Sequence, residues 1–582
     1  MQGMEPSLRA TYKRKDEFYE GRLISANLVV DGIFLGRLVS RDSGDSDCLD
    51  VAAGWLERCS REHEHCAEQK DVDLPTRLVH IPNDENQYLK VKNTGGQTGR
   101  YVALSHCWGH GITFKTTQAT FNARQEGFPS ELLARNFQDA LRITRRLGFE
   151  YLWIDALCIV QDSLDDWASE SSKMAEVYGN ASLTISADLA PHSEFGILHP
   201  RNITNTHNFG IRNELCLQTR GKGWAAIPSM PLTQRGWAFQ ERILSSRILH
   251  FFEEQIAWEC DTTVYLEEHT AKQLAHTAHF SKHNMTWVVK HSSYPKGDGG
   301  SLQAVESSNK MGLDDRIANW NVCVSELAVR NFTRVLDKLP SLSGLASAME
   351  VPELGKYLAG VWEHDPFLSM AWFPRWPQVP QVEYRAPSWS WAATMWQLMW
   401  YKGGERDPTP TEISAWGVWN SRFAPRLLSH CILHANVDLK GEVKEGSHII
   451  IRGFCREVHI REKPDSRFDE WEFFRDSTRR LGRKVHMDSK GGNWNRSWDS
   501  TSYFAEDLEN RDETVDAAGL KSYICLQIAR EKGRDYPKIL ALILESVVGV
   551  ENSFRRVGLL VFDDPSKDSE SLEWKAQILK LI

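Results

Sequence analysis

The hydrophobic pattern begins with alternating positions and then changes to a helical period. Residues 22–40 (RLISANLVVDGIFLGRLVS) alternate apolar and polar positions between turn residues, which predicts a small β-hairpin. Residues 49–66 have helical spacing instead. The predicted helix face consists of Trp55, Cys59, His63 and Cys66.

Strands and helices then alternate. LPTRLVHI and RYVALSHCWG are predicted strands, separated by a polar turn over 83–99. A helix follows over 130–147, with Leu132 on its apolar face and Gly148 as its stop. We next expect an apolar strand over 151–160, a helix over 165–179 and the strand SLTISA. This alternation predicts an α/β fold whose mainly parallel sheet is flanked by helices.

The second half of the chain has another pattern. The whole chain has 22 tryptophans, and many of them are clustered after residue 370, which predicts bulky aromatic packing there. Short β-rich runs beyond residue 425 predict a C-terminal β domain, interrupted by a polar stretch over 486–516. The predicted domains are 1–73 (hairpin and helix), 74–255 (α/β), 256–312 (a connecting segment that ends in a polar Gly/Ser-rich linker), 313–424 (helical, Trp-rich) and 425–582 (β-rich).

Composition narrows the class of protein. A net charge of -9 and a pI near 6.2 give no strong attraction to nucleic acid. The N-terminus lacks the apolar core of a signal peptide, and no run reaches the roughly 20 apolar residues of a membrane span. Eleven cysteines without a CxxC pair fit reduced thiols. We expect a cytoplasmic protein with no membrane span and no nucleic-acid partner.

Signatures of the common enzyme classes are absent, including the P-loop, GxGxxG, HExxH and GxSxG. The adjacent residues Ser105, His106 and Cys107 are of catalytic types. Neighbours on a strand point to opposite faces, so we interpret these three as packing residues and not as a nucleophile with its base.

The predicted helix over 49–66 carries a candidate metal site. Cys59, His63 and Cys66 could present three ligands, with Cys48 as a fourth from the preceding loop. Cysteines on a helix face also pack as small apolar residues in a core. We favour packing and predict no metal, with these residues as the candidates for one.

Glu170 shares an apolar helix face with Trp167 and Tyr178. Burial of an ionised carboxylate costs several kcal/mol unless the group is paired. Two interpretations therefore stay open, an ion pair with a cation such as Arg235 or a functional acid with a shifted pKa.

Three more acidic residues compete with Glu170. Asp155 is expected mid-strand in 151–160, holding Arg235 or a helix N-terminus. Gln161 and Asp162, at that strand's end, are better placed for a ligand, although Asp162 could instead cap the next helix with Ser163. Glu241 shares a helix face with the apolar residues Trp237 and Leu244. Salt bridges from Glu241 to Arg235 or Arg242 would explain a carboxylate at this position.

Three blocks of sequence carry a family resemblance: RYVALSHCWG, YLWIDALCIVQDSLDDW and RGWAFQERILSSRILHF. In order and spacing they resemble the fungal heterokaryon-incompatibility (HET) domain family at Tyr101–Gly109, Leu152–Ile159 and Arg235–Arg242. His106 stands where that family commonly has Tyr. The flanking segments LPTR, DKLPSLSGLA and APSWSWA also resemble long members of the family.

The resemblance implies a role in fungal nonself recognition, where incompatible partners trigger cell death. HET domains in turn resemble TIR domains: ALSHCWG is similar to the first TIR strand and loop, and DWASE is similar to the Trp-x-x-x-Glu helix with spacing one residue shorter. By this resemblance Glu170 would be the catalytic residue that cleaves the nicotinamide glycosidic bond of NAD. The ligand-binding residues would be Ser105, Trp108, Gly109, Gln161, Asp162 and Trp167.

Two functions follow from these observations. One is an NAD glycohydrolase, with NAD as substrate and no further cofactor. The other is a non-catalytic signalling module that self-associates or binds an incompatibility partner, which fits the absence of the common enzyme signatures.

Overall fold

The chain forms two compact units, Met1–His291 and Ser292–Ile582. The computed structural model describes residues 9–14, 17–24, 29–30, 33–34, 39–63, 66, 70–82, 88–109, 111, 114–201, 207–209, 215–218, 227, 229–268, 312–374, 384–394, 398–400, 425–462, 471–476, 479–482, 485–487, 521–530, 538–563 and 574–582. The predicted linker, apart from residue 312, and most of the polar stretch over 486–516 lie outside the described residues.

A mixed sheet of eight strands lies at the centre of the first unit. In chain order its strands are β1 (Arg77–His80), β2 (Lys90–Asn93), β3 (Val102–Ser105), β4 (Tyr151–Trp153), β5 (Leu183–Ser186), β6 (Arg247–Phe251), β7 (Ile256–Cys260) and β8 (Val264–Leu266). Strand β2 lies within the segment predicted as a polar turn. The sheet also continues past residue 255 through β7 and β8.

The four central strands are parallel and lie in the spatial order β4-β3-β5-β6. The two strands added at each edge are antiparallel. The sheet is therefore mixed, and the prediction of a mainly parallel sheet holds only for its centre. Chain order reverses between β3 and β5, because β3 leads outward to β4 and the chain then returns to β5. In open α/β sheets the carboxyl ends of strands at such a reversal form a crevice that binds ligands.

Seven α-helices are described in this unit. They are α1 (Ser46–Glu62), α2 (Phe121–Glu126), α3 (Arg135–Arg146), α4 (Asp155–Cys158), α5 (Leu164–Ser172), α6 (Met174–Asn180) and α7 (Gly236–Leu244). Short 3-10 helices cover Ser130–Leu132 and Leu232–Gln234. No helix in the described part of the chain is long and apolar enough to cross a membrane.

Helix α3 is shorter than the predicted helix over 130–147. Leu133 and Ala134 are extended, so the preceding turn is a separate 3-10 helix. Leu132 is exposed as a result, which corrects its assignment to the apolar face. Gly148 has a φ of 80°, and this left-handed conformation ends the helix as predicted.

The predicted strand over 151–160 is wrong beyond Trp153. The chain turns into α4, where the Asp155 carboxylate accepts a hydrogen bond from the Ala156 amide at 2.7 Å. A continuous apolar run does not distinguish a buried strand from a buried helix turn. The helix predicted over 165–179 is also divided, because Lys173 separates α5 from α6.

The N-terminal region contains the predicted hairpin, in which Val29–Val30 pairs with Ile33–Phe34. A separate four-stranded sheet combines Arg9–Arg14 and Glu17–Ile24 with His207–Phe209 and Leu215–Gln218. A two-stranded sheet pairs residues 72–73 with residues 98–99. The predicted helix over 49–66 ends earlier, at Glu62, so His63 and Cys66 follow α1 instead of lying on its face.

The described part of the second unit combines helices with two small sheets and one large sheet. Its described α-helices are Leu313–Ala328, Pro340–Met349 and Pro366–Ser369. Its described 3-10 helices are Val335–Lys338, Pro352–Leu354 and Trp391–Ala393. Two short antiparallel pairs, absent from the helical prediction, join Tyr357–Leu358 to Val361–Trp362 and Trp372–Pro374 to Leu398–Trp400.

The predicted C-terminal β region forms a nine-stranded sheet. Its strands are Arg426–Cys431, His448–Glu462, Trp471–Asp476, Arg479–Gly482, Val485–Met487, Lys521–Arg530, Lys538–Ser546, Ser553–Asp563 and Lys575–Leu581. The prediction of a β-rich C-terminal region is confirmed.

Tryptophan packing is confirmed in the second unit. The indole N–H groups of Trp320 and Trp391 both donate to the Gly360 carbonyl, at 2.8 and 2.9 Å. Gly360 has a φ of 104°, and a Cβ there would lie 2.4 Å from the Trp391 indole nitrogen. Lys338 of DKLPSLSGLA donates to the Thr394 carbonyl, just after APSWSWA. The two flanking motifs therefore belong to one packed core.

A buried ion pair fastens α1 to the end of the eight-stranded sheet. Arg201 donates to Glu267 at 2.8 Å, and both side chains are fully buried. Glu267 also accepts hydrogen bonds from the backbone amides of Ser40 and Ile256. Cys48 of α1 lies 3.7 Å from the same carboxylate.

We expect Glu267→Gln to destabilise the protein by about 3 kcal/mol, because it leaves the Arg201 charge buried without its counter-ion. Thermal and urea unfolding would measure the loss. The matched control is Glu57→Gln, which removes the exposed pair with Arg61 and should leave stability unchanged. Equal stability of the two variants would show that the buried pair contributes nothing.

Candidate functional site

The three sequence blocks meet at the carboxyl ends of the parallel strands. Ser105 ends β3, and Asp155 is the first residue of α4, one residue after β4. Glu241 lies on α7, and its carboxyl accepts a hydrogen bond from the Ser105 hydroxyl. The first and third blocks are thus joined at the reversal point between β3 and β5.

The sheet face beneath α7 is polar. Ala103 and Ser105 pair in register with Thr184 and Ser186 of β5, so these side chains share a face. The Thr184 hydroxyl lies 2.7 Å from the hydroxyl of Ser245, at the end of α7. Faces of buried parallel strands are normally apolar. Hydrophobic packing therefore does not explain why hydroxyl groups are buried at this position.

Glu241 is the acid at the centre of this layer, with 5% of its surface exposed. Burial raises the pKa of Glu241 to about 7, although the Arg235 charge and the Ser105 hydrogen bond oppose the rise. The nearby Asp155 charge adds to it. Both protonation states of Glu241 are therefore accessible near neutral pH, as acid–base chemistry requires.

Arg235 and His106 are charged or titratable residues near Glu241. An Arg235 N–H donates to the His106 carbonyl, so the predicted pairing of Arg235 with Glu170 or Asp155 is replaced by a contact with the backbone. The buried His106 ring packs edge-on against Phe137. Burial lowers the pKa of His106 to about 4, against the effect of Asp155, so the ring is neutral at pH 7.

Asp155 begins α4, just after β4, and does not lie in the middle of a strand, which corrects its predicted position. Its second carboxylate oxygen accepts a hydrogen bond from the Trp108 indole at 2.7 Å. Gly109 follows with a φ of 69°, and a Cβ there would lie 2.2 Å from the Cβ of His192. Asp155 and Gly109 together fix the loop after β3.

The remaining predicted ligand residues lie after α4. The Gln161 amide donates to the Asp155 carbonyl at 2.8 Å. Asp162 is exposed and accepts a hydrogen bond from the Gln118 amide, while Ser163 is the residue that caps α5. Trp167 is half-buried on α5. Gln161 is therefore the member of this group that contacts the loop residues around Asp155.

Glu170 is buried with its own partners. Its carboxylate accepts hydrogen bonds from the Thr76 hydroxyl at 2.8 Å and from Lys173 at 3.0 Å. The Arg77 guanidinium lies 4.0 Å away. These contacts favour the ion-pair interpretation of Glu170, with Lys173 in place of Arg235.

Arg77 of the LPTR segment explains why α5 docks where it does. Its guanidinium donates twice to Asp166, at 2.6 and 2.7 Å, and once to the Cys158 carbonyl at 2.6 Å. Thr76 of the same segment holds Glu170. The flanking motif therefore anchors the helix that carries Glu170.

Residues 101–241 match the family model of the heterokaryon incompatibility protein (HET). The chain carries a HET domain. The match begins one residue before β3 and ends at Glu241, so it covers the first two blocks almost completely and the third as far as Glu241. No curated protein and no solved structure matches the chain.

A second buried network includes Arg242, the residue after Glu241, and no sequence pattern predicted it. His250 of β6 lies between Asp188 and Glu259, at 3.1 and 3.2 Å, and Glu259 also pairs with Arg242 at 2.8 Å. Burial lowers the pKa of His250, but the two carboxylates outweigh this effect and raise it. Neighbouring α7 residues thus differ in role, since Arg242 neutralises this network while Glu241 faces Ser105.

The metal candidates of the sequence divide between two places. Cys48 lies beside Glu267 and Arg201, which corrects its assignment as a fourth ligand. Cys59, His63 and Cys66 come together, and the residue that joins them is Cys260 of β7. Cys260 lies far away in the sequence, so spacing could not reveal it.

Replacement of Glu241 by Gln tests the shifted pKa. Folding favours the protonated acid, so wild type should lose stability relative to Glu241→Gln as the pH rises from 4.5 through 7. The difference should reach about 3 kcal/mol above pH 8, for a shift from 4.5 to about 7. Thermal unfolding of both proteins between pH 5 and pH 8 measures it. A constant difference across that range would contradict the shift.

Proposed function

We propose that this protein acts in heterokaryon incompatibility by triggering cell death, and that its HET domain does so by cleaving NAD. The observation that carries the catalytic part is Glu241, a buried acid with a pKa of about 7 at the reversal point of a parallel sheet. The spatial order β4-β3-β5-β6 is also the order of doubly wound folds that bind nucleotides there.

The proposed reaction breaks the bond between the ribose anomeric carbon and the nicotinamide nitrogen. The leaving nicotinamide takes the bonding electrons, and water adds to the ribosyl cation and releases a proton. The Glu241 carboxylate stabilises the cation and accepts that proton. Ser105 positions the carboxylate through its hydrogen bond. Trp108 and Gly109 belong to the loop that meets the ligand.

Glu241 replaces Glu170 as the proposed catalytic carboxylate. The Glu170 carboxylate is neutralised by Lys173 and held by Thr76, and this arrangement suits a structural anchor. The Glu241 carboxyl is bonded to Ser105 in the crevice where the fold would bind a ligand.

Incubation of the purified protein with NAD, with nicotinamide release followed by chromatography, tests the proposal. Glu241→Gln should lower the release by about 100-fold or more, the usual effect of losing an acid–base group. Glu170→Gln is the matched control and should retain activity in proportion to its folded fraction. Unchanged release by folded Glu241→Gln would refute the assignment.

A second function, that of a non-catalytic assembly module, is favoured by the burial of the site. Ser105 and Glu241 are 4% and 5% exposed, and their polar groups bond to each other. Expression of Glu241→Gln in a fungal host separates the two functions. Cell death retained by the folded variant, with no NAD consumption by wild type, would support assembly, and death abolished together with NAD loss would support catalysis.

A further inference from the structure

Four side chains with metal-ligating atoms meet between the end of α1 and the sheet. They are Cys59, His63, Cys66 and Cys260, whose ligand atoms all lie within 4.8 Å of one another. The His63 Nδ1 atom is 3.4 Å from the Cys260 sulfur and 3.7 Å from the Cys66 sulfur. These four converge although Cys260 lies on β7, far from the other three in the sequence.

The spacing of these atoms suits a tetrahedral zinc ion. Zinc bonds sulfur at about 2.3 Å and imidazole nitrogen at about 2.0 Å, so the edges of its coordination tetrahedron are about 3.3 to 3.8 Å long. The two measured nitrogen–sulfur distances fall within that range. Three cysteines and one histidine are also a common ligand set of structural zinc sites.

The surroundings fit a closed site with a charged metal. Cys59 and Cys260 have no exposed surface and Cys66 has 5%, so a bound ion would be shielded from solvent. Three thiolates and a zinc ion carry one net negative charge with a neutral histidine. Arg247 lies opposite Cys260 in the strand pairing, and its buried guanidinium donates a hydrogen bond to the Cys59 sulfur at 3.3 Å. The positive charge of Arg247 balances the negative charge of the site.

Packing of reduced cysteines does not account for this arrangement. Apolar packing would not require His63, which follows the last residue of α1, to direct a ring nitrogen between two sulfurs. A disulfide would join two of the three sulfurs and leave the third and the histidine unexplained.

We propose that Cys59, His63, Cys66 and Cys260 bind a structural zinc ion that fastens the end of α1 to β7. The ion ties residues that precede the HET match to a strand that follows it. The sheet of the HET domain is then completed by parts of the chain outside the matched region. This site has no open coordination position for a substrate, so its role is to hold the fold.

Metal analysis of the full-length protein tests the proposal. The protein is expressed in zinc-containing medium with a tag free of histidine, purified under reducing conditions and analysed by mass spectrometry for metals. Wild type should contain one zinc ion per chain, and Cys260→Ser should lose it. The matched control is Cys48→Ser, a buried cysteine outside the cluster, which should retain zinc.

A second measurement keeps the test decisive if Cys260→Ser does not fold. Zinc in the wild-type protein is exchanged for cobalt, which gives thiolate charge-transfer and tetrahedral ligand-field absorption when three cysteines bind it. Removal of the metal by a chelator should also lower the melting temperature. A wild-type protein without zinc that gives no such cobalt spectrum would overturn the proposal, as would a disulfide among the three cysteines, zinc retained by folded Cys260→Ser, or iron as the bound metal.

Discussion

Buried charge must be neutralised, and this constraint governs how the first unit is built. An unpaired ion in a protein core costs several kcal/mol, so a carboxylate that is removed from water needs a cation or hydrogen-bond donors. Arg77 holds Asp166, and Arg201 holds Glu267. Both pairs join segments that are distant in the sequence, so satisfying the charge also fixes how helices dock on the sheet.

Glu241 differs from these paired carboxylates. The Arg235 charge and the hydrogen bond from Ser105 both lower the pKa of Glu241, but together they do not offset the rise caused by burial. The nearby Glu259, with Arg242 and His250 as partners, has a pKa below its usual range. Glu241 and Glu259 therefore have opposite electrostatic environments. Glu241, whose pKa is close to neutral pH, is the one at the strand ends. Environments that separate the pKa values of neighbouring acids are characteristic of functional sites.

The sequence predicted the parts of this arrangement that depend on local pattern. The alternation of strands and helices predicted the α/β class, and Gly148 predicted the end of α3. The position of Asp155 could not be predicted, because the apolar run YLWIDALCIV fits a buried strand and a buried helix turn equally well. Lys173 is only three residues from Glu170, but the second partner of Glu170, Thr76, is 94 residues away. Cys260, the fourth member of the cysteine cluster, is also distant in the sequence from the other three. Local pattern could not predict either of these two long-range contacts.

The loop after β3 is held from two sides. Arg235 bonds to the carbonyl of His106, and Asp155 bonds to the indole of Trp108. One anchor comes from the second block of sequence and the other from the third, so the loop cannot shift without disturbing both. If NAD binds at these strand ends as proposed, selectivity would come from a loop shape that is set during folding. A molecule of the wrong shape would then be rejected without any closing movement of the loop.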